Sequence, residues 1–201
     1  MNIFLIAVTV VVSVVAFGRV EWFERLKFYP YAIRHRKESW RFVSYALVHA
    51  GWLHLLINMW VLYSFGSIVE HTFRLTFGPV GWVYYFILYL GGILFSVLFD
   101  FRKYKDNVYY TAVGASGAVS AVVFSSILIF PAGSIYLFPI PFAIPSWLFG
   151  ILYLVYSAYM QKKGVDNVGH SAHFWGALFG MVFTVVMLPD VIHNFLFQLG
   201  F

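Results

Sequence analysis

Between Tyr109 and Gln161 the chain carries no Asp, Glu, Lys, Arg or His. No soluble domain can cover so long a stretch with a polar surface, whereas a bilayer needs roughly 20 apolar residues per helical crossing. The stretch contains its own breakers, Pro131, Pro139, Pro141 and Pro145. Proline inside a helix removes a hydrogen bond and clashes with the preceding turn. Two helices are therefore expected, over about 116–130 and 146–160, with a hairpin between them. Applied to the rest of the chain, the search for uncharged runs bounded by charge, Pro or Gly yields four more, over about 2–17, 51–69, 75–99 and 171–188, the last ended by Pro189. The expected fold class is an all-α membrane protein of six transmembrane helices.

Composition agrees: 62% of residues are hydrophobic and 10% charged, against roughly 25% charged in a soluble domain. Aromatics make up 22%, with 14 Tyr and 7 Trp, and such amphipathic rings favour the membrane interface. Residues 2–17 lack the basic leader and small-residue cleavage site of a signal peptide, so a retained span is expected. The segment 18–50 mixes charge with aromatics, as in Trp22-Phe23-Glu24-Arg25 and Trp40-Arg41, and is expected to lie in the interface. The absence of cysteine excludes disulfides, thiolate metal sites, a Cys nucleophile and palmitoylation. The net charge of +5, interleaved with Tyr and Phe, suits lipid headgroups; no nucleic-acid motif accompanies it. No internal repeat suggests an inverted-repeat transporter. One domain, 1–201, is expected.

Polar groups are costly in hydrocarbon, so those inside spans are functional candidates. His54 and Asn58 lie four apart on one face of the second helix, with His49 just before it. Taken singly, each could equally be an interhelical hydrogen bond holding the bundle. The run Gly114-Ala115-Ser116-Gly117-Ala118 opens the fourth helix, and small residues continue through Ser120 and Ala121. By itself this run suits close helix packing, and it is not the strand-borne nucleophile elbow of soluble hydrolases. His173 lies near the start of the sixth helix, with Gly176 and Gly180 three and seven residues on. Those glycines form a groove into which the fourth helix, with Gly117 and Ala121, would fit. That contact would bring Ser116 and His173 side by side.

A serine hydroxyl becomes a nucleophile when a neighbouring base takes its proton, and neutral His is the usual base. The oxyanion that follows needs donors, for which the Ser116 backbone N–H, His54 and the Asn58 amide are candidates. The nearest carboxylate in sequence, Asp166, is seven residues from His173, so a Ser/His dyad without an acidic member is expected, with Asp166 as the alternative orienter. A metal centre built on His49, His54, His170 and His173 would lack inward carboxylates, and His-Glu-x-x-His is absent. No metal and no cofactor are expected.

Trp40-Arg41, the His49, His54 and Asn58 set, the Gly114 to Ala118 run and the Ala172-His173-x-x-Gly176-x-x-x-Gly180 run together resemble the rhomboid intramembrane proteases in order and spacing. The resemblance covers about 40–180 and implies a rhomboid-like bundle with a membrane-dipping first loop. It implies Ser116 as nucleophile, His173 as base, and His54 and Asn58 in the oxyanion hole. It further implies His49 as mainly structural, Trp40-Arg41 as a brace for the first loop, and Glu70 as a buried glutamate at the end of the second helix. Substrates implied are single-span membrane proteins cut in the bilayer near small residues of an unwinding helix. The likeness is to a minimal bacterial-type core, for which no seventh helix or soluble extension is expected, and a bacterial inner or cell membrane is the implied location. One departure is Ser120, which stands where some rhomboids carry a tyrosine stacked on the catalytic histidine.

Orientation is contested by two signals. Of the 13 Lys and Arg, only Arg74 falls outside the first, third and fifth loops, so the charge bias places those loops in the cytoplasm. The resemblance implies that the first loop and the site face outward, and its specific motif order is the stronger guide. Rival readings are a derlin-like relative without enzymatic activity, a haem or metal protein, and a channel; the presence of both Ser116 and His173 argues against the first.

Overall fold

The computed structural model describes residues 1–136, 141–164 and 169–201. Pro139 and Asp166, both weighed above, lie outside the described residues. The first helix, α1 (Asn2–Phe17), is followed by a loop of three short helices, α2 (Val20–Leu26), α3 (Pro30–Arg36) and α4 (Arg41–Ser44). Then come α5 (Trp52–Phe77), α6 (Gly81–Tyr104), α7 (Ser116–Ile129), α8 (Ser146–Lys163), α9 (His170–Met187) and α10 (Val191–Gln198). Two two-residue strands, β1 (Ser134–Ile135) and β2 (Ile144–Pro145), pair antiparallel between α7 and α8. Everything else among the described residues that is regular is helical.

Helices α5 and α6 are longer than charge placement suggests, for physical reasons. Helix α5 passes Glu70 because that carboxylate is occupied: it accepts the Asn2 backbone N–H at 2.9 Å and pairs with the Met1 amino group at 2.7 Å. An acid at the N-terminus of α1 also suits the helix dipole. Glu70 therefore sits within α5 and not at its end. The real stop is Gly78, at a positive φ of 61° that a side chain rarely adopts, followed by Pro79. Helix α6 runs past Asp100, which is buried and accepts from the Tyr110 hydroxyl at 2.8 Å. Burial, and then the Asp100 carboxylate, pushes the Tyr110 phenol well above its ordinary pKa, so it stays a donor. Arg102 and Lys103 in the last turn of α6 favour its C-terminus. The residues after Pro189 add one more helix, α10.

Helix α7 is the axis of the molecule. Every residue from Gly117 to Ile127 is buried, by α5, α6 and α9 together. At 14 residues it reaches about 21 Å, less than the ~30 Å hydrocarbon thickness. A helix walled by others needs no full-length apolar exterior, since its sides meet protein. By length and composition, the segment Trp52–Tyr104 and α9 are apolar enough to cross a membrane, while α1 and α7 are shorter apolar helices.

The outer faces are apolar. On α5, Leu53, Leu56, Ile57 and Trp60 are 54–72% exposed, and on α8, Ile151, Leu152 and Val155 are 54–64% exposed. Such continuous greasy faces need a lipid or protein covering. One end of the bundle is tied by its loops. The Phe28 and Ala112 backbones exchange hydrogen bonds at 2.9 and 3.0 Å, and Arg34 and His35 reach Asp106 at 3.1 Å each. The loops 18–51 and 105–115 thus share one end, and α5, α7 and α9 all begin there.

Candidate active site

Local sequence explains where the central groups sit. Ser116 is the first residue of α7, reached through Gly114 at φ 110°, a conformation that a side chain strongly disfavours. A Cβ at Gly114 would also strike the His54 ring, at 2.5 Å from its Cε1. The Gly114 N–H donates to the Tyr45 carbonyl at 3.0 Å, pinning this turn to the first loop. Ser116 is thereby presented at a helix start, where backbone N–H groups lack intrahelical partners.

His173 arrives from α9. Its Nε2 lies 2.7 Å from Ser116 Oγ, a hydrogen bond between groups 57 residues apart. The helices approach this closely because a Cβ on Gly176 would collide with the Gly117 carbonyl, and one on Gly180 with the Ala121 carbonyl. Gly117 is equally constrained, since a Cβ there would overlap Ser96. Among the described residues no carboxylate bonds to His173. Its ring instead has two aromatic neighbours, Tyr153 stacked at 6.1 Å with an interplanar angle of 29°, and His170 edge-on at 6.1 Å and 80°.

The second-helix candidates surround this pair. His54 lies against Gly114, and its Nδ1 accepts the Ala50 N–H at 3.4 Å, leaving Nε2 to carry the proton of the neutral ring. Asn58 is buried and donates one amide hydrogen to the His54 carbonyl at 2.8 Å, with a second hydrogen to spare. His49 is fully buried: its Nε2 accepts the Ala115 N–H at 3.3 Å, and its Nδ1 lies 2.9 Å from Ser13 Oγ, which donates to the Leu47 carbonyl at 2.8 Å. Both ring nitrogens of His49 are thus spent inside the protein, one of them on the residue just before Ser116. No group of three or more His, Asp or Glu side chains converges among the described residues.

The remaining residues lie farther out. Arg41 is buried, pairs with Glu38, and donates to the Glu24 and Lys27 carbonyls at 2.8 and 2.9 Å, so one guanidinium gathers the first loop. Trp40, the residue before α4, is 47% exposed. Glu70 belongs to the opposite end, where it holds α1. Sequence reasoning missed Tyr153. Nothing distinguishes it from Tyr156 and Tyr159 on the same helix until α8 is laid against α7, when its hydroxyl meets Ser120 Oγ at 2.8 Å.

The model of the Rhomboid domain family matches residues 36–190, a range that includes Trp40, Arg41, His49, Ser116, His173 and Gly180. The chain is 27% identical over 172 residues to Rhomboid-related protein 1 of Caenorhabditis elegans, covering 82% of this chain and 44% of that protein. It is 29% identical over 151 residues to the mitochondrial RHOMBOID-like protein 12 of Arabidopsis thaliana, covering 67% and 42%. It is also 40% identical over 48 residues to Rhomboid protease GlpG of Haemophilus influenzae, covering 24% and 25%. The chain spans less than half the length of these relatives. Their sources, an animal, a plant mitochondrion and a bacterium, give the expected bacterial inner membrane no support. What they carry is membership of a family of integral membrane proteins.

Proposed function

Because the chain belongs to the rhomboid family, we propose that it is an intramembrane serine protease in which Ser116 is the nucleophile and His173 the base. The observation that carries this reading is the 2.7 Å contact between Ser116 Oγ and His173 Nε2. His173 takes the hydroxyl proton as Ser116 Oγ attacks the scissile carbonyl carbon. The negative charge moves to the carbonyl oxygen, where the Ser116 N–H, a His54 ring N–H and an Asn58 amide hydrogen stabilise it. Collapse breaks the C–N bond, His173 returns the proton to the leaving amine, and an acyl ester remains on Ser116. Water then attacks that ester, again with His173 as base; the acyl C–Oγ bond breaks, His173 returns the proton to Ser116 Oγ, and the carboxylic acid leaves.

The substrates fitting this scheme are single-span membrane proteins, presented to the site from the bilayer. The topology is six crossings, by α1, α5, α6, α7, α8 and α9, in one domain over 1–201. The exposed apolar faces of α5 and α8 support it, as does the pairing of the first and third loops at one end. The first loop, gathered by Arg41, dips into the membrane at that end.

A fluorophosphonate, which phosphonylates activated serines, tests the reading without a known substrate. Wild-type protein in detergent is expected to be labelled, and Ser116→Ala and His173→Ala to be unlabelled. Equal labelling of all three proteins would remove the dyad, and an unlabelled wild type would favour a non-enzymatic relative.

A further inference from the structure

Ordering an imidazole base requires something to hold its plane, commonly a carboxylate on the far nitrogen. Among the described residues none is bonded to His173, yet the ring has a definite partner on its face. Tyr153, about two turns into α8, stacks on it at 6.1 Å and 29°, within the range in which aromatic pairs attract. Tyr153 is itself held from three directions. Its hydroxyl meets Ser120 Oγ at 2.8 Å, and its ring packs on Phe124 at 5.6 Å and Phe149 at 5.7 Å. Ser120 lies one turn after Ser116 on α7. Nucleophile, anchor and base are therefore linked in a closed circuit, Ser116 to Ser120 along α7, Ser120 to Tyr153 across to α8, Tyr153 to His173 on α9, and His173 back to Ser116.

We propose that Tyr153 is the positioning residue for His173: its ring face holds the imidazole plane toward Ser116 Oγ, and Ser120 locks that face in place. The proposal rests on the dyad reading above. Ser120, too small to stack, acts as the clasp for a ring supplied by another helix. The ring matters more than the hydroxyl, because the face makes the contact and the hydroxyl only sets its angle.

The rate of fluorophosphonate labelling of the full chain in detergent measures this, with melting temperature as the control for folding. Tyr153→Phe, which keeps the ring, is expected within about threefold of the parent, while Tyr153→Leu, apolar but smaller and with no ring face, is about tenfold slower, a modest share of what a misplaced reacting group costs. Ser120→Ala should slow the parent by about threefold yet have no further effect on Tyr153→Phe, because both changes delete the same bond. Leu labelling as fast as Phe, at unchanged melting temperature, overturns the proposal while leaving the dyad intact. A parent that does not label at all removes the dyad and this proposal with it.

Discussion

His49 shows how one side chain can organise the candidate site without touching Ser116 or His173. Accepting at Nε2 from the Ala115 N–H requires the proton on Nδ1, which then donates to Ser13 Oγ, whose own hydrogen goes to the Leu47 carbonyl. That chain ties α1, the first loop and the turn before Ser116 together inside the protein. Removing the ring leaves the buried Ala115 N–H without its acceptor, at about 1–3 kcal/mol, and opens a void where the ring packed, while Ser13 keeps the Leu47 carbonyl. His49→Ala is expected to lower unfolding stability in detergent by about 2–4 kcal/mol, and a change below 1 kcal/mol would contradict it. Asn58 is proposed for the complementary role, at the oxyanion. One amide hydrogen is spent on the His54 carbonyl, so Asn58→Ala should leave the fold largely intact. It should slow peptide hydrolysis by about 100-fold, the usual effect of losing an oxyanion donor. Unaltered hydrolysis would remove Asn58 from that role.

At the scale of elements, the contact of α7 with α9 decides whether a serine and a histidine meet. Ser116 and His173 are brought together by Gly117, Gly176 and Gly180, which let two helix backbones touch. Gly176→Ala places a methyl on the Gly117 carbonyl and must push the helices apart. A displacement near 1 Å can cost about 100-fold in rate, and overpacking typically costs about 1–3 kcal/mol. Gly176→Ala is therefore expected to lose nearly all fluorophosphonate labelling. Gly18→Ala is the control, since its added methyl meets only the Val15 carbonyl at an ordinary 3.8 Å. Similar labelling in both variants would show that the close approach does not govern the site. Helices α5 and α6 teach a related lesson. Glu70 and Asp100 look like span ends in one dimension, but each has a partner in three, Asn2 and Tyr110 respectively, and the helix continues through them.

For the whole molecule, the basic loops and the candidate site occupy the same end. The first and third loops are joined by the exchange between Phe28 and Ala112 and by the pairing of Arg34 and His35 with Asp106. Exposed ion pairs of this kind contribute at most about 1 kcal/mol, so Asp106→Ala should scarcely change stability. The shared location carries more consequence. Reporters fused within 18–40 and within 102–106 should report the same side of the membrane, and a reporter at Gly78 the opposite one. Outward signals from the first two would uphold the orientation implied by the motif order against the charge bias. Opposite signals from the first and third loops would break the six-crossing topology.

The sequence by itself determined that this chain is a helical protein for a bilayer, because hydrophobicity and proline act locally and need no partner to be felt. It located the residues worth watching for the same reason: Asn58, His54, Ser116 and His173 are polar where polarity is costly. It also paired Gly176 and Gly180 with Gly117 and Ala121, since small residues at helical spacing have few other uses. Only the tertiary structure decided which carboxylates end a helix and which are absorbed, where the ring nitrogens of His49 are spent, and that the face of His173 is covered by Tyr153. Those facts depend on which helices become neighbours, and an aromatic on α8 carries no mark of its partner until α7 and α9 stand beside it.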